Sequence, residues 1–471
     1  MSIVTQMRLF LEPRSLAFIG ASRRAAKDED INPVECLLRT GYPGKIYPVN
    51  PNASEVLGLK CYRSIGDVPG EVDLAVVSLP RELIPQAVRE CTQKGIRAII
   101  IYTMGLADSA DEQGHTIQAE AVRIAREGGA RIVGPNTFGV INTFAKVNTY
   151  WAPMYTDRAL PLGAACQSGI FSYRSWPDPP PGGERMAGKV IDLGNVGDID
   201  FADVLEYYEA DPQTKVIFLH MEHLKDGRRF LEVARRVARK KPILALKVGR
   251  TGEGARVVAS HTGALAGRDE VYDAAFRQCG IIRVRDMDEM EDLAKAFLYL
   301  PLMKGRGAAI LAHVGGIKGI GTDAFIEHGL VMAQLEPQTL SQIQAMFPPW
   351  APAGNPLDSW PAGMAHGYLE STEHLARAVL ADRNVAGLLF VVWAMSRTEY
   401  HFWDASPLIL RASADFPDKP ICVWGYGPDS DEWRAAIEGK PGVMWYPTPE
   451  RAARALAALY RRWRFLDKGQ P

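Results

Sequence analysis

The sequence lacks the features of secreted, membrane-spanning and zinc-ribbon proteins. Its six cysteines are scattered, without CxxC spacing or a Cys/His cluster of the metal-binding kind, which fits a reducing cytosol and predicts no metal site. The longest apolar runs, such as residues 387–395, are too short to span a bilayer, and the first residues lack the basic start and cleavage site of a signal peptide. We therefore expect a cytoplasmic protein that does not bind membranes.

An excess of charge of one sign is also missing. The 54 Lys and Arg residues and 55 Asp and Glu residues leave a formal net charge of −1. A chain this neutral has no overall field to attract nucleic acid or an anionic membrane surface. Any anionic ligand must therefore be held by local features of the chain.

What is present is the pattern of an α/β protein. The 471 residues suffice for about three domains, and 47% of them are hydrophobic. From Ser15 onward, short apolar segments alternate with helical stretches, which is typical of a parallel, doubly wound sheet. In the first region the pattern predicts strands over 15–19, 45–49, 73–78, 97–102 and 130–133, and helices over 33–39, 82–94 and 112–127. Ligands of such sheets bind at the carboxyl ends of the strands.

The first of these strand ends has the composition of a phosphate-binding turn. Small residues and then cations follow the strand, namely Gly20, Ala21, Ser22, Arg23, Arg24 and Lys27. A small-residue turn lets the backbone approach a pyrophosphate, which the cations neutralise. NAD is disfavoured, because GxGxxG is absent and Asn50 and Pro51 stand where an acidic residue would hold the ribose. The pattern favours a nucleotide-like ligand other than NAD; a tight turn with solvated arginines is the alternative.

Three later strand ends also carry small or polar residues. Ser78 ends one predicted strand of the same sheet, and Thr103 and Asn136 follow two others. Each could be ordinary loop chemistry, but at successive carboxyl ends of one sheet they predict the lining of a single groove.

The second region contains a candidate anion site. Gln167, Ser168 and Gly169 follow a predicted strand at 164–166, and a hydroxyl with free backbone N–H groups at a helix start can bind an anion. Further strands are predicted over 189–193, 215–220 and 242–247, with helices over 201–209 and from Arg228.

The sharpest feature of this region is His261, which lies among small residues in the segment 260–267. We expect an exposed loop histidine that can approach another group closely, as a nucleophile or phosphoryl carrier requires. Glu222 ends a neighbouring predicted strand, and its carboxylate could fix the imidazole tautomer. The alternative is a histidine that merely hydrogen-bonds its own loop.

Taken in order, these motifs resemble the α-type subunit of the NDP-forming acyl-CoA synthetases, the ADP-forming acetate–CoA ligase relatives of succinyl-CoA synthetase. The resemblance covers almost the whole chain. It is carried by residues 20–22, 47–51, 134–136, 167–169, 194–195, 222, 226–228, 241–242, 247–250, 260–267 and 355–358.

The resemblance implies three consecutive doubly wound domains. They are a Rossmann-like CoA-binding domain over residues 1–150, a flavodoxin-like ligase domain over 151–300 and a second flavodoxin-like domain over 306–471. In the third domain, residues 315–321 are interpreted as a strand-to-helix turn, with a phosphate cradle through Lys318 as the alternative.

The resemblance also implies the roles of site residues. His261 would be phosphorylated, Glu222 would orient it, and Gln167, Ser168 and Gly169 would hold the phosphate. Coenzyme A would lie along residues at the carboxyl edge of the first sheet, namely Gly20, Ala21, Ser22, Arg23, Asn50, Pro51, Ser78, Thr103 and Asn136. The reaction would interconvert a carboxylic acid, CoA and ATP with acyl-CoA, ADP and phosphate.

No GxxxxGK[ST] motif or ATP-grasp pattern is present. ATP or GTP with its Mg²⁺ is therefore expected on a separate ATP-grasp β-type subunit of a hetero-oligomer. The sequence does not identify the acid.

The chain departs from the family pattern in three places. Prolines at 177 and 179–181 must stop the helix after Gly169 by about Trp176. An acidic run covers residues 28–30, and Thr137 stands where relatives often have cysteine. These departures leave a non-catalytic CoA or acyl-CoA binding protein as the main rival. A nucleotide-dependent oxidoreductase is the second rival, and Asn50 disfavours it.

Overall fold

The computed structural model describes residues 1–21, 32–150, 156, 158–169, 171, 185–262, 267–395 and 403–467, without the side chains of 258–262. These residues form two compact units that divide between Met290 and Glu291. Arg23, the prolines at 177–181 and the acidic run at 28–30 lie outside the described residues, and so does Ser22. Within the described residues, no helix combines the length and apolar character that crossing a membrane requires.

The first sheet of the first unit is parallel and has five strands in the order β2-β1-β5-β6-β7. The strands from the N-terminus to Val133 are β1 (Ser15–Ile19), β2 (Lys45–Val49), the short hairpin strands β3 (Glu55–Val56) and β4 (Leu59–Lys60), β5 (Leu74–Val77), β6 (Ala98–Ile101) and β7 (Arg131–Val133). The helices are α1 (Ile3–Leu11), α2 (Pro33–Arg39), α3 (Ile84–Gln93) and α4 (Glu112–Glu127). β5 and β6 are buried along their whole length, as expected for strands covered on both faces.

The second sheet has seven strands in the order β14-β13-β12-β10-β11-β8-β9. They are β8 (Val140–Asn142), β9 (Val147–Asn148), β10 (Arg158–Cys166), β11 (Met186–Asp192), β12 (Val216–Met221), β13 (Ile243–Lys247) and β14 (Ile282–Val284). The helices of this part of the chain are α5 (Phe201–Ala210), α6 (Gly227–Lys240), α7 (Gly252–Thr262), α8 (Asp269–Cys279) and α9 (Met287–Tyr299). The five strands from β10 to β14 are parallel. In this doubly wound order the switch point lies between β10 and β12, where ligands are expected.

The hairpin β8–β9 belongs to this second sheet. β8 pairs antiparallel with β11, with Val190 opposite Ile141, and β9 pairs with β8. The pair falls inside the 1–150 segment that we expect to be the CoA-binding domain, so in the structure the end of that segment completes the sheet of its neighbour.

The second unit contains a third parallel sheet in the order β16-β15-β18-β19-β20, with β17 paired to β15. Its strands are β15 (Gly307–Ala312), β16 (Val331–Met332), β17 (Leu357–Asp358), β18 (Gly387–Trp393), β19 (Ile421–Tyr426) and β20 (Val443–Tyr446). Its helices are α10 (Gly315–Glu327), α11 (Pro337–Gln344), α12 (Trp360–His366), α13 (Tyr368–Ala381), α14 (Ser406–Asp415), α15 (Ser430–Ile437) and α16 (Pro449–Asp467).

The predicted α/β class is confirmed, and so are the parallel, doubly wound sheets. The predicted turn at 315–321 is wrong, because these residues form the first two turns of α10. Glycine costs only about 1 kcal/mol in a helix, which the rest of α10 can offset. A Cβ on Gly321 would lie 2.9 Å from Cδ1 of Ile310, so that side chain would have to shift.

Candidate active site

The residues predicted to bind CoA converge at the carboxyl edge of the first sheet. Gly20 and Asn50 follow β1 and β2, while Ser78, Thr103 and Asn136 follow β5, β6 and β7. Hydrogen bonds join neighbouring strand ends, since Ser78 N donates to Ile19 O (2.9 Å) and Asn136 N donates to Thr103 O (3.1 Å). The structure therefore brings these predicted residues to one edge.

The turn at Gly20 is built for close approach. Gly20 has φ +88°, and a Cβ there would overlap the carbonyl oxygen of Ser78. The amide of Asn50 donates to Ala21 O (2.9 Å), and its Oδ1 accepts from Asn52 N (2.9 Å). Asn50 thus braces the turn with its side chain, a function that an acidic ribose-binding residue would not perform.

The predicted phosphate turn adjoins Glu222 at the switch point of the second sheet. Gln167 follows β10 directly, and Glu222 follows β12. Oε1 of Gln167 accepts from the backbone N–H groups of Glu222 (2.7 Å) and His223 (3.0 Å). Gln167 is 3% exposed and Glu222 5%. The Gln167 side chain therefore fixes the start of the phosphate turn to the residue predicted to orient the histidine.

Gly169 is enclosed by aromatic rings. The hydroxyl of Tyr150 donates to Gly169 O, and a Cβ on Gly169 would overlap the ring of Phe138. The ring of Phe171 stacks on His220 with centroids 3.9 Å apart. Gly169, which follows Ser168 in this turn, is thus packed against the rings of Tyr150 and Phe138.

His261 is the next-to-last residue of α7, so the prediction of a loop is wrong at this position. The stretch from Gly254 to His261 contains Ala, Arg and Val, which extend the helix readily enough once it has begun at Gly252. The His261 side chain and residues 263–266 lie outside the described part of the structure, and the role of His261 stays a prediction.

Several buried titratable groups surround Glu222. Asp192, the last residue of β11, accepts from Phe138 N (2.8 Å) and Gly194 N (3.3 Å). Burial and the nearby charge of Glu222 raise the pKa of Asp192 to about 6, although these hydrogen bonds oppose the shift. Lys247, the last residue of β13, is 1% exposed and lies 4.7 Å from the Tyr272 ring centre, and burial lowers its pKa.

Sequence reasoning gave no role to His220 and His223, which flank Glu222. Because Oε1 of Gln167 accepts from the two backbone N–H groups, its Nε2 faces His223 and donates to Nδ1 of that ring (3.0 Å). His220 is 1% exposed, and neither ring nitrogen has a hydrogen-bond partner among the described residues. Burial lowers the pKa of His220 to about 3 and that of His223 to about 4. The sequence did offer a signal for these two histidines, because His220 and His223 lie close to Glu222 at the end of a predicted strand.

Two family models match the chain. A CoA-binding domain matches residues 14–143, and a succinyl-CoA ligase-like flavodoxin domain matches residues 162–297. The chain is 35% identical to the alpha subunit of ADP-forming acetate–CoA ligase II of Pyrococcus furiosus, over 96% of this chain and 97% of the relative. The chain belongs to the ADP-forming acid–CoA ligase family.

Two further relatives agree with this assignment. The ADP-forming acetate–CoA ligase II of Archaeoglobus fulgidus is 37% identical over 83% of this chain, which matches 58% of that longer protein. The dinucleotide-forming acetyl-coenzyme A synthetase 1 of Candidatus Korarchaeum cryptofilum, solved in complex with phosphate and ADP, is 30% identical. Its TM-score is 0.83, with 98% of both chains covered. This member of the acid–CoA ligase family is an alpha-type, CoA-binding subunit, a class whose name implies a partner subunit.

Proposed function

We propose that this subunit carries the phosphoryl group of acid–CoA ligation on His261. Glu222 orients the imidazole, and Gln167, Ser168 and Gly169 bind the phosphate. The observation that supports this proposal most directly is the Gln167 side chain, whose Oε1 accepts from the backbone of both Glu222 and His223. The phosphate turn and the orienting carboxylate thereby form one rigid unit at the switch point of the sheet.

The proposed reaction has three transfers. An imidazole nitrogen of His261 attacks the terminal phosphorus of the nucleotide, and the P–O bond to the diphosphate breaks. The phosphoryl group then passes to a carboxylate oxygen of the acid, which restores the imidazole. Finally, the CoA sulfur attacks the carbonyl carbon of the acyl phosphate, so that a C–S bond forms and phosphate leaves with the thiol proton. A carboxylate beside His261 favours the first step by fixing the tautomer.

The residues at the edge of the first sheet fit a CoA groove. The turn at Gly20 lies directly against the carbonyl oxygen of Ser78, which any Cβ on Gly20 would overlap, so the shape of the proposed groove depends on glycine at this position. Ala21, Asn50, Pro51, Ser78 and Thr103 continue this edge. We include Ser22, Arg23 and Asn136 in the proposed groove.

The remaining components belong to a partner. We propose that ATP or GTP and Mg²⁺ bind an ATP-grasp β-type subunit, and that the two chains form a hetero-oligomer in the cytosol. The six cysteines of this chain are all buried and form no disulfide bonds, which suits a reducing compartment. The substrate is a small carboxylic acid.

The test is phosphorylation of the chain by labelled ATP in the presence of its partner subunit. We expect an acid-labile, base-stable label that His261→Ala abolishes, whereas His115→Ala, a change at an exposed histidine of α4, leaves it intact. Glu222→Gln should reduce the rate less than His261→Ala, because the nucleophile remains. Full ligase activity of His261→Ala would refute the mechanism. CoA binding without any phosphorylation of the wild-type chain would instead identify a non-catalytic CoA-binding protein.

A further inference from the structure

In the first unit, a loop that follows a strand of the first sheet contacts a loop that follows a strand of the second sheet. The loop Gly134–Asn136 follows β7 of the first sheet, and the loop Gly194–Gly197 follows β11 of the second. Asn195 N donates to Pro135 O (2.9 Å), and Gly197 N donates to Gly134 O (2.9 Å). A Cβ on Gly194 would overlap the carbonyl oxygens of Pro135 and Asn136. The two loops are therefore in direct backbone contact, with no room for a side chain at Gly194.

The side chain of Asn195 completes this junction. Its Nδ2 donates to Asp108 Oδ1 (2.8 Å) and to Gln118 Oε1 (3.1 Å), and its Oδ1 accepts from Asn136 Nδ2 (3.2 Å). Asp108 is itself held by the backbone N–H groups of Gly105 (2.8 Å) and Leu106 (2.9 Å). Asn195, a residue that is 7% exposed, thus binds three separate segments of the CoA-binding domain through its side-chain amide.

Backbone strain marks the same loops. Val196 has φ +52° and Asn136 has φ +56°, and this conformation is especially unfavourable for a β-branched residue such as Val196. Such residues cost of order 1–3 kcal/mol each and persist only where the surroundings hold them. The hydrogen bonds that Asn195 makes with Pro135 and Asn136 hold the two loops in this conformation.

The held loop reaches from the CoA groove to the phosphate turn. Asn136 lies at the proposed groove, Phe138 N is fixed by Asp192 (2.8 Å), and the Phe138 ring covers Gly169. A shift of this loop would move the thiol end of CoA relative to the phosphate turn. Misplacement by 1 Å can cost about a hundredfold in rate.

Resting on the proposed function, we propose that Asn195 is a positioning residue for acyl transfer between CoA and phosphate. By holding Asn136 and its loop, it aligns the CoA sulfur with the acyl group without contacting either. The nucleotide-driven phosphorylation of His261 does not use CoA, and Phe138, which covers the phosphate turn, is held by Asp192 rather than by Asn195. This half-reaction is therefore independent of Asn195.

The test separates the two half-reactions in the complex with the partner subunit. One is phosphorylation of the chain by labelled ATP, and the other is its phosphorylation by acyl-CoA with labelled phosphate. Asn195→Ala should slow the second by roughly tenfold to a hundredfold and leave the first unchanged. Gln6→Ala is the matched control, because it removes a buried amide that donates to Arg97 O (3.0 Å) and Gly129 O (3.3 Å) at the opposite edge of the first sheet.

A charge exchange gives a second, independent readout. The change Asn195→Asp places a second carboxylate next to Asp108 and should impair the CoA-driven reaction. Adding Asp108→Asn removes the repulsion between the two carboxylates and should restore part of the activity. Equal loss in both half-reactions, or loss in neither, would overturn the role of Asn195. Wild-type protein that is phosphorylated by neither route would instead refute the proposed function itself.

Discussion

At the scale of single residues, burial determines the protonation of the groups around Glu222. His220 and His223 are neutral at physiological pH because burial lowers the pKa of each. Asp192 is shifted in the opposite direction, as expected for a buried carboxyl group beside another carboxylate. His220 and His223 therefore carry no charge near neutral pH, whereas Asp192, with a pKa of about 6, takes up a proton just below it. The proposed phosphoryl transfer depends on His261 for its nucleophile.

The His220 pKa predicts a specific acid sensitivity. A histidine with a pKa of about 3 when folded and about 6.5 when unfolded supports folding above pH 6.5, and that support is lost as the pH falls towards 3. At pH 5 the loss is about 2 kcal/mol. His220→Phe keeps a ring on Phe171 and should remove this loss, so that stability falls less between pH 7 and pH 5 than in the wild type.

Urea unfolding at the two pH values measures the effect. His115→Gln is the control, because His115 is exposed on α4 and its replacement should leave the pH dependence as it is. An unchanged acid response of His220→Phe would mean that His220 does not resist protonation in the folded chain.

At the scale of elements, the turns after the strands form the site. The strand bounds were predictable because buried parallel strands read as short apolar runs: β1 and β2 have the predicted limits, and so do α2 and α4. The contacts of Gln167 were not predictable, because its partners are backbone groups 55 and 56 residues away. The helical position of His261 was missed because glycines next to small residues indicate a loop unless packing is known.

Gly20 allows a direct test of the first turn. Gly20→Ala should weaken CoA binding by about tenfold or more, equivalent to about 1.4 kcal/mol, since its Cβ would push the turn away from Ser78 O. Gly58→Ala is matched in backbone conformation, with φ +78°, but has no atom within 4 Å of the added Cβ. Both variants should lose about 1–2 kcal/mol of stability from the positive φ.

Calorimetry with CoA and with NAD distinguishes the outcomes. We expect CoA binding by wild type and Gly58→Ala, weakened binding by Gly20→Ala, and no binding of NAD by any of the three. Tight NAD binding without a CoA signal would reassign the groove.

At the scale of the whole molecule, the chain is one part of a larger enzyme. Phosphoryl transfer requires a metal-bound nucleotide in line with its acceptor, and the sequence contains no GxxxxGK[ST] motif or ATP-grasp pattern. We expect the purified chain to release no ADP with acid and CoA, and the mixture with the proposed ATP-grasp subunit to do so. Turnover by this chain alone would reveal a nucleotide site within it.

The hairpin β8–β9 has a consequence for protein engineering. The chain passes from the first sheet to the edge of the second before residue 150, because Ile141 pairs with Val190 and Asn148 pairs with Ile141. A fragment cut at residue 150 would keep two strands with no sheet to join, while the remainder would expose β11 as a bare edge prone to aggregation. Chimeras that exchange the CoA-recognition module between acid–CoA ligases should therefore be spliced between Val133 and Val140, so that each half retains every strand its own sheet requires.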